Sequence, residues 1–137
     1  MPLITLPIGW TILLDSVAWA ILQPAIAYLC TRPPASAFDP SAWLYRPRPW
    51  ERDGAIYERL FLVKRWKTWL PSGGPVFRDG FSMRRITSRD WTYLERWAQE
   101  TCRAELTHWI ALGISPLFFL WNPPLLGVCM VLYAIIV

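Results

Sequence analysis

Apolar residues fill the chain from Ile8 to Cys30 with few interruptions, close to the length of about 20 residues that a bilayer crossing requires. Asp15 and Gln23 interrupt this run. A carboxylate inside a span is costly enough to mark a functional candidate, while the plainer reading sets Asp15 at the outer interface, in reach of water. Pro24 predicts a kink or a thinner second half. Thr31-Arg32-Pro33-Pro34 closes the span. Pro33, Pro34, Pro40, Pro47 and Pro49 are too dense for a regular helix and predict an extended strap along the membrane surface. Trp43, Tyr45 and Trp50 in it favour the headgroup level. Ile56, Leu60, Val63, Trp66 and Leu70 then recur at helical spacing, with Arg59, Lys64 and Lys67 on other faces. This predicts an amphipathic helix in the interface, ended by Ser72-Gly73-Gly74-Pro75.

Asp90 is placed to cap a helix running through Leu94, Trp97, Cys102 and Leu106. Steps of 100° put Trp91, Leu94, Ala98, Cys102, Glu105 and Trp109 on one face, with a carboxylate in the middle of an apolar stripe. From Trp109 to Val137 the chain is apolar, broken by Pro116 and by Asn122-Pro123-Pro124. The break predicts a second span ending near Trp121 and a third segment from Leu125 to Val137. That segment rises only about 20 Å against a hydrocarbon core of about 30 Å. As written, it ends within the bilayer or against a partner. The fold class expected is mainly α, a single membrane domain over 1–137. It has a first transmembrane helix at 8–30, a membrane-surface segment with interfacial helices at 31–104, and a Pro-broken pair of membrane helices at 105–121 and 125–137.

Charge sharpens this topology. Every Lys and Arg lies between Arg32 and Arg103, and the stretch from Thr31 to His108 holds all 14 basic and nine of the ten acidic residues. Cytoplasmic loops retain Lys and Arg beside spanning helices, so the central segment is expected in the cytoplasm of a multi-pass protein of the bacterial inner membrane. The same rule accounts for the pI of about 9.3, and nucleic acid is not the expected partner. Cys30, Cys102 and Cys129 lack paired metal-type spacing and are expected to be free thiols. Met1 to Leu14 carries no basic residue to form the n-region of a cleaved signal, and bulky Leu29 argues against lipidation of Cys30.

The single histidine, His108, follows Glu105 by three residues, a spacing at which a carboxylate reaches an imidazole and fixes its tautomer. A Glu-x-x-His pair also belongs to di-iron bundles, but those need a second pair and two further carboxylates, so no protein-built metal site is expected. Ser-x-x-Lys and Gly-x-Ser-x-Gly nucleophile motifs are absent from the sequence, and Ser82 and Ser88 have no identifiable partners. The chemistry left is general-base catalysis at a membrane interface, His108 taking a proton from a hydroxyl as it attacks a carbonyl. The alternative is an interfacial histidine beside Trp109, bonded to Glu105 and doing nothing else. Lys64-Arg65-Trp66-Lys67 suits an anionic head group or the phosphates of an acyl carrier such as coenzyme A, or a lipid-facing positive run.

The run Leu94-Glu95-Arg96-Trp97, the longer run Glu100-Thr101-Cys102-Arg103-Ala104-Glu105-Leu106-Thr107-His108-Trp109, Leu120-Trp121-Asn122-Pro123 and Tyr133-Ala134 together carry a family resemblance. They resemble the glycosyl-4,4'-diaponeurosporenoate acyltransferases of staphyloxanthin-type carotenoid synthesis. Gln23, Thr31-Arg32-Pro33, Phe61 and Lys64-Arg65-Trp66-Lys67 extend the similarity over most of the chain. The resemblance implies transfer of a fatty acyl group to a sugar hydroxyl of a glycosylated carotenoid, with membrane-bound substrates. His108 and Glu105 would then be catalytic, and Arg103, Lys64, Arg65, Trp66, Lys67 and Trp109 would bind substrate. The co-substrate would be an acyl-CoA-like donor, with no tightly bound cofactor other than, as a candidate, carotenoid. It also implies a basic C-terminal tail, which this chain, ending at Val137, lacks. The competing expectation is a non-catalytic accessory subunit packing its Trp-rich surface and short third helix against a larger, pigment-containing membrane complex. An enzyme should keep an open cavity reaching His108.

Overall fold

A computed structural model describes residues 2–62, 65, 81 and 86–136. The described residues are helical, with no strand among them. They fall into two compact units, 1–34 with 103–137 and 35–102, where the sequence pattern sets its divisions at 30/31 and 104/105.

In the first unit, α1 spans Ile8–Thr31 and remains helical through Pro24. Its hydroxyls turn inward on its own backbone: Thr11 Oγ1 donates to the Pro7 carbonyl at 3.3 Å and Ser16 Oγ to the Ile12 carbonyl at 2.8 Å. That suits polar groups on a helix with little water at hand. α1 is long and apolar enough to cross a membrane, and only 17% of its most apolar stretch is buried in the protein. The core helix of a soluble domain would be mostly covered. Ile8, Ile12, Leu13, Val17, Ile21 and Leu29 are instead exposed.

The sequence pattern predicts one membrane helix over 105–121. The structure corrects this: α-helix runs over Trp91–Ile114, and a 3₁₀ segment, Ser115–Leu120, carries the chain on. Pro116 is the reason, since it cannot donate the α-helical hydrogen bond and fits the first turn of a new segment. The last helix runs over Pro124–Ile136, with proline at its first position, where the missing N–H costs nothing. We number the helix over Trp91–Ile114 α3 and this last one α4. The Leu120 carbonyl accepts from the N–H groups of Leu3 and Ile4 at 2.8 and 3.1 Å, tying the start of the chain to the end of the 3₁₀ segment.

The unit closes around Trp19, Ile26, Cys30, Ala111, Phe118 and Ala134. Trp19 stacks on Phe118 at 4.8 Å between ring centroids and meets Tyr133 at 5.1 Å; Phe118 also meets Trp121 at 5.1 Å. Such aromatic pairs add about 0.5–1.5 kcal/mol each beyond area burial. Gly127 is fitted just as closely, because a Cβ there would lie 2.5 Å from the Phe119 ring. Gly127→Ala should therefore lower stability by about 1–3 kcal/mol, the usual range for overpacking. Thermal unfolding in detergent reads this, and an unchanged midpoint would show that the ring yields freely.

In the second unit the proline-rich stretch is not the extended strap its composition predicts. It folds as 3₁₀ turns over Ala35–Ala37 and Pro49–Gly54 with a turn between them. Asp39 nucleates that turn: its carboxylate accepts from the Ser41 N–H at 2.8 Å and the Ser41 hydroxyl at 2.7 Å, while its carbonyl accepts from the Ala42 N–H at 3.0 Å. Aspartate often bonds its own backbone in this way, and the prolines sit at turn positions. Trp43 and Trp50 are exposed, and the Arg48 guanidinium lies 4.6 Å from the Trp43 ring centroid.

The amphipathic helix read over 56–70 is interrupted at Leu62: α2 spans Ala55–Phe61, Leu62 turns left-handed at φ 49°, Arg65 is again helical, and Val63, Trp66 and Leu70 lie outside the described residues. A left-handed leucine cannot continue a right-handed helix. Asp90 does begin α3: its carbonyl accepts from the Leu94 N–H at 3.0 Å. The Thr92 hydroxyl, and then the N–H groups of Tyr93, Thr92 and Trp91, hold its carboxyl below the usual range despite some desolvation. Along the predicted stripe, burial is uneven. Cys102 is buried, Leu94, Ala98 and Glu105 are half-buried, and Trp91 and Trp109 are exposed.

Candidate functional site

Two groups of chemistry-bearing side chains belong to the first unit. The first is on α3. Residues three and four apart on a helix are neighbours, which sets His108 and Trp109 beside Glu105, while Arg103, two residues before Glu105, stands on another face. The Glu105 carboxylate accepts its hydrogen bond from the Trp109 indole N–H, at 3.1 Å, and not from the imidazole that the sequence assigns to it. A long helical side chain leans toward the N-terminus, so an indole four residues on can reach back over the carboxylate. His108 is exposed, and among the described residues its ring makes no hydrogen bond. Arg103 is half-buried, and its Nη2 donates to the Pro33 carbonyl at 2.9 Å, fastening α3 to the chain leaving α1.

Of the predicted basic block, Arg65 is the residue that the structure describes. Arg65 belongs to the second unit, is exposed, and donates its backbone N–H to the Leu62 carbonyl at 2.9 Å. Lys64, Trp66 and Lys67 lie outside the described residues. Of the predicted site residues, the structure joins Glu105 to Trp109 and turns Arg103 to Pro33.

The second group is one that the sequence flagged only in part. Asp15 is 6% exposed, and its Oδ1 accepts two hydrogen bonds at 2.8 Å, from the Trp121 indole N–H and from Asn122 Nδ2. A buried carboxyl group without partners would cost several kcal/mol, and here protein N–H donors replace the water that the plainer reading of Asp15 supplied. Among the described residues no cation pairs with it. Asn122 is 1% exposed, and its Oδ1 has no hydrogen-bond partner among the described residues. Asn122 therefore does more than mark a turn: it closes the span of α1 against the end of the 3₁₀ segment.

Beside this pairing lies a cavity of about 500 Å³ lined by Asp15, Ser16, Trp19, Ala20, Gln23, Pro24, Met130 and Tyr133. Asp15, Trp19 and Gln23 are four residues apart and share one face of α1. That spacing was the available signal in the sequence, a polar residue at each end of one helical stripe. Among the described residues no three His, Cys, Asp or Glu side chains gather as metal ligands.

Comparison with known proteins adds a family. A family model for glycosyl-4,4'-diaponeurosporenoate acyltransferase matches residues 41–137, a stretch that includes α3, the 3₁₀ segment and α4. A glycosyl-4,4'-diaponeurosporenoate acyltransferase of Staphylococcus aureus is 30% identical over 121 residues, covering 88% of this chain and 73% of that protein. Another, from Staphylococcus haemolyticus, is 27% identical over 125 residues, covering 89% and 72%. No solved structure matches the chain.

Proposed function

Because the chain belongs to the glycosyl-4,4'-diaponeurosporenoate acyltransferase family, we propose that it is a membrane acyltransferase. It moves a fatty acyl group from an acyl-CoA-like thioester to a sugar hydroxyl of a glycosylated carotenoid or a similar lipid glycoside. The observation that carries the reading is the state of His108. It is exposed and its ring is unengaged among the described residues, on a helix anchored one and a half turns earlier by the Arg103 to Pro33 hydrogen bond.

The reaction needs a hydroxyl oxygen to attack the thioester carbonyl carbon while its proton leaves. An imidazole close to neutrality suits that step. His108 takes the hydroxyl proton as the C–O bond forms, the C–S bond breaks, and the proton passes to the departing thiolate. Glu105, three residues before His108 on the same helix, holds the Trp109 ring through its indole N–H. Positive charge for the donor's phosphates is available in the sequence at Arg103 and, separately, at Lys64, Arg65 and Lys67. The co-substrates come and go, and no tightly bound cofactor is required by this chemistry.

The protein works as a multi-pass membrane protein with its central segment in the cytoplasm. Supporting this are the exposed apolar side chains of α1, those of α4 at Leu125, Val128, Leu132 and Ile135, and the confinement of Lys and Arg to residues 32–103. In a background where Cys129 is serine, a cysteine introduced at exposed Ser36 should stay unlabelled by an impermeant maleimide in intact cells and react after lysis. Labelling in intact cells would reverse the topology. The function itself is tested by comparing pigment extracts from cells with and without the gene by mass spectrometry. Acylated glycosyl carotenoid should appear only with the gene.

A further inference from the structure

We propose that the cavity between α1 and α4 binds the hydroxyl-bearing head of a neutral lipid, at a place separate from His108. The lining is chemically uneven. Trp19, Ala20, Pro24, Met130 and Tyr133 make it largely apolar, while Asp15 and Ser16 mark one end along α1 and Gln23 the other. Eight residues of helix separate Asp15 from Gln23, or roughly 12 Å.

The lining offers both hydrogen-bond acceptors and donors. Asp15 Oδ1 is taken by Trp121 and Asn122, and Oδ2 accepts no hydrogen bond among the described residues. Pro24 has no N–H, so the Ala20 carbonyl loses its usual donor four residues on, and both residues line the cavity. The Ser16 hydroxyl already donates to Ile12, leaving its oxygen as an acceptor. Donors are on offer too: the Trp19 indole N–H, in a residue 7% exposed that itself lines the cavity, is buried without a partner among the described residues, and the Gln23 amide and Tyr133 hydroxyl, also in the lining, can donate as well as accept. Groups left unmatched at a protein surface of low polarity need a ligand that supplies the missing partners.

A polyol does so, since each hydroxyl both donates and accepts. A phosphate does not. Among the described residues no Lys, Arg or His lines the cavity, and a carboxyl group stands at its end, so an anionic head would meet a carboxyl where it needs a cation. The apolar remainder of the lining takes the first methylenes of the lipid chain, and the volume lies in the range of about 300–1,000 Å³ typical of ligand sites. His108 is not among the residues that line the cavity.

The test uses the full chain in a zwitterionic detergent free of sugar detergents. Two photoreactive probes of equal chain length are compared, an alkyl glucoside and an alkyl phosphate. The glucoside should label peptides containing Trp19 or Tyr133, compete with unlabelled octyl glucoside, and exceed the phosphate by about tenfold, a difference of about 1.4 kcal/mol. Ala20→Leu, which fills the groove from an exposed position, should cut the labelling by a similar factor; so should Asp15→Asn, which replaces an acceptor by an amide. His108→Ala should leave the labelling intact while abolishing transfer, which separates this inference from the acyltransferase reading. Equal labelling by both probes, or labelling indifferent to Ala20→Leu, would overturn it.

Discussion

Replacing His108 by alanine should lower the rate of acyl transfer by about 10²- to 10⁴-fold, the usual range for loss of a general base. The imidazole is exposed, so its removal opens no cavity in the protein, and the variant should remain in the membrane fraction at normal abundance. His108→Gln should be as slow as alanine, because an amide hydrogen-bonds but takes no proton near neutrality. Glu105→Gln should lose much less, since its amide oxygen still accepts the Trp109 N–H. Initial rates with an acyl thioester and a glycosylated acceptor in vesicles measure all three. A His108→Ala protein with a near-normal rate would remove His108 from the mechanism.

The second large effect is on stability. Asp15→Leu removes the acceptor of two buried donors, Trp121 Nε1 and Asn122 Nδ2. Each donor left unsatisfied costs about 1–3 kcal/mol, so a loss of roughly 2–5 kcal/mol is expected. For a chain of this size that lowers the midpoint of thermal unfolding by roughly 10 °C. Asp15→Asn should cost less, its amide oxygen keeping one or both bonds. Since the three groups share one carboxylate oxygen, Asp15→Leu combined with Trp121→Phe should be markedly less damaging than the sum of the single changes. Additive losses would show that the pairing contributes nothing to folding.

The parts of this fold that were legible in the sequence were those set by local pattern. α1 follows from an apolar run of bilayer length, the start of α3 from Asp90 as a cap, and the start of α4 from a proline able to occupy a first helical position. Local chemistry also misled. The density of prolines from Pro33 to Pro49 excludes a long helix but does not choose between an extended strand and successive 3₁₀ turns. That choice was made by Asp39 bonding back to Ser41 and Ala42. Glu105 has two neighbours within reach, His108 at three residues and Trp109 at four. Sequence spacing favours neither, and side-chain direction decides for Trp109.

The Asp15 site was visible only as half of itself. A carboxylate in an apolar run signals a partner, but Trp121 and Asn122 are 106 and 107 residues away. No periodicity links positions so distant; tertiary packing, as of Trp19 against Phe118 and Tyr133, brings them to one place. Glu100 was passed over for the same reason. The sequence marks it only as the first residue of the run that carries the family resemblance, yet it is buried at 7% exposure.

The most direct measurement is acyl transfer by the purified full chain in lipid vesicles, supplied with a chain-labelled acyl thioester and a glycosyl-4,4'-diaponeurosporenoate. Mass spectrometry should find an acceptor heavier by one acyl group less one hydrogen, with one thiol released per ester formed and with the product nearly lost in the His108→Ala protein. Intact, folded protein that forms no ester under these conditions would contradict acyltransferase activity and favour an accessory membrane subunit.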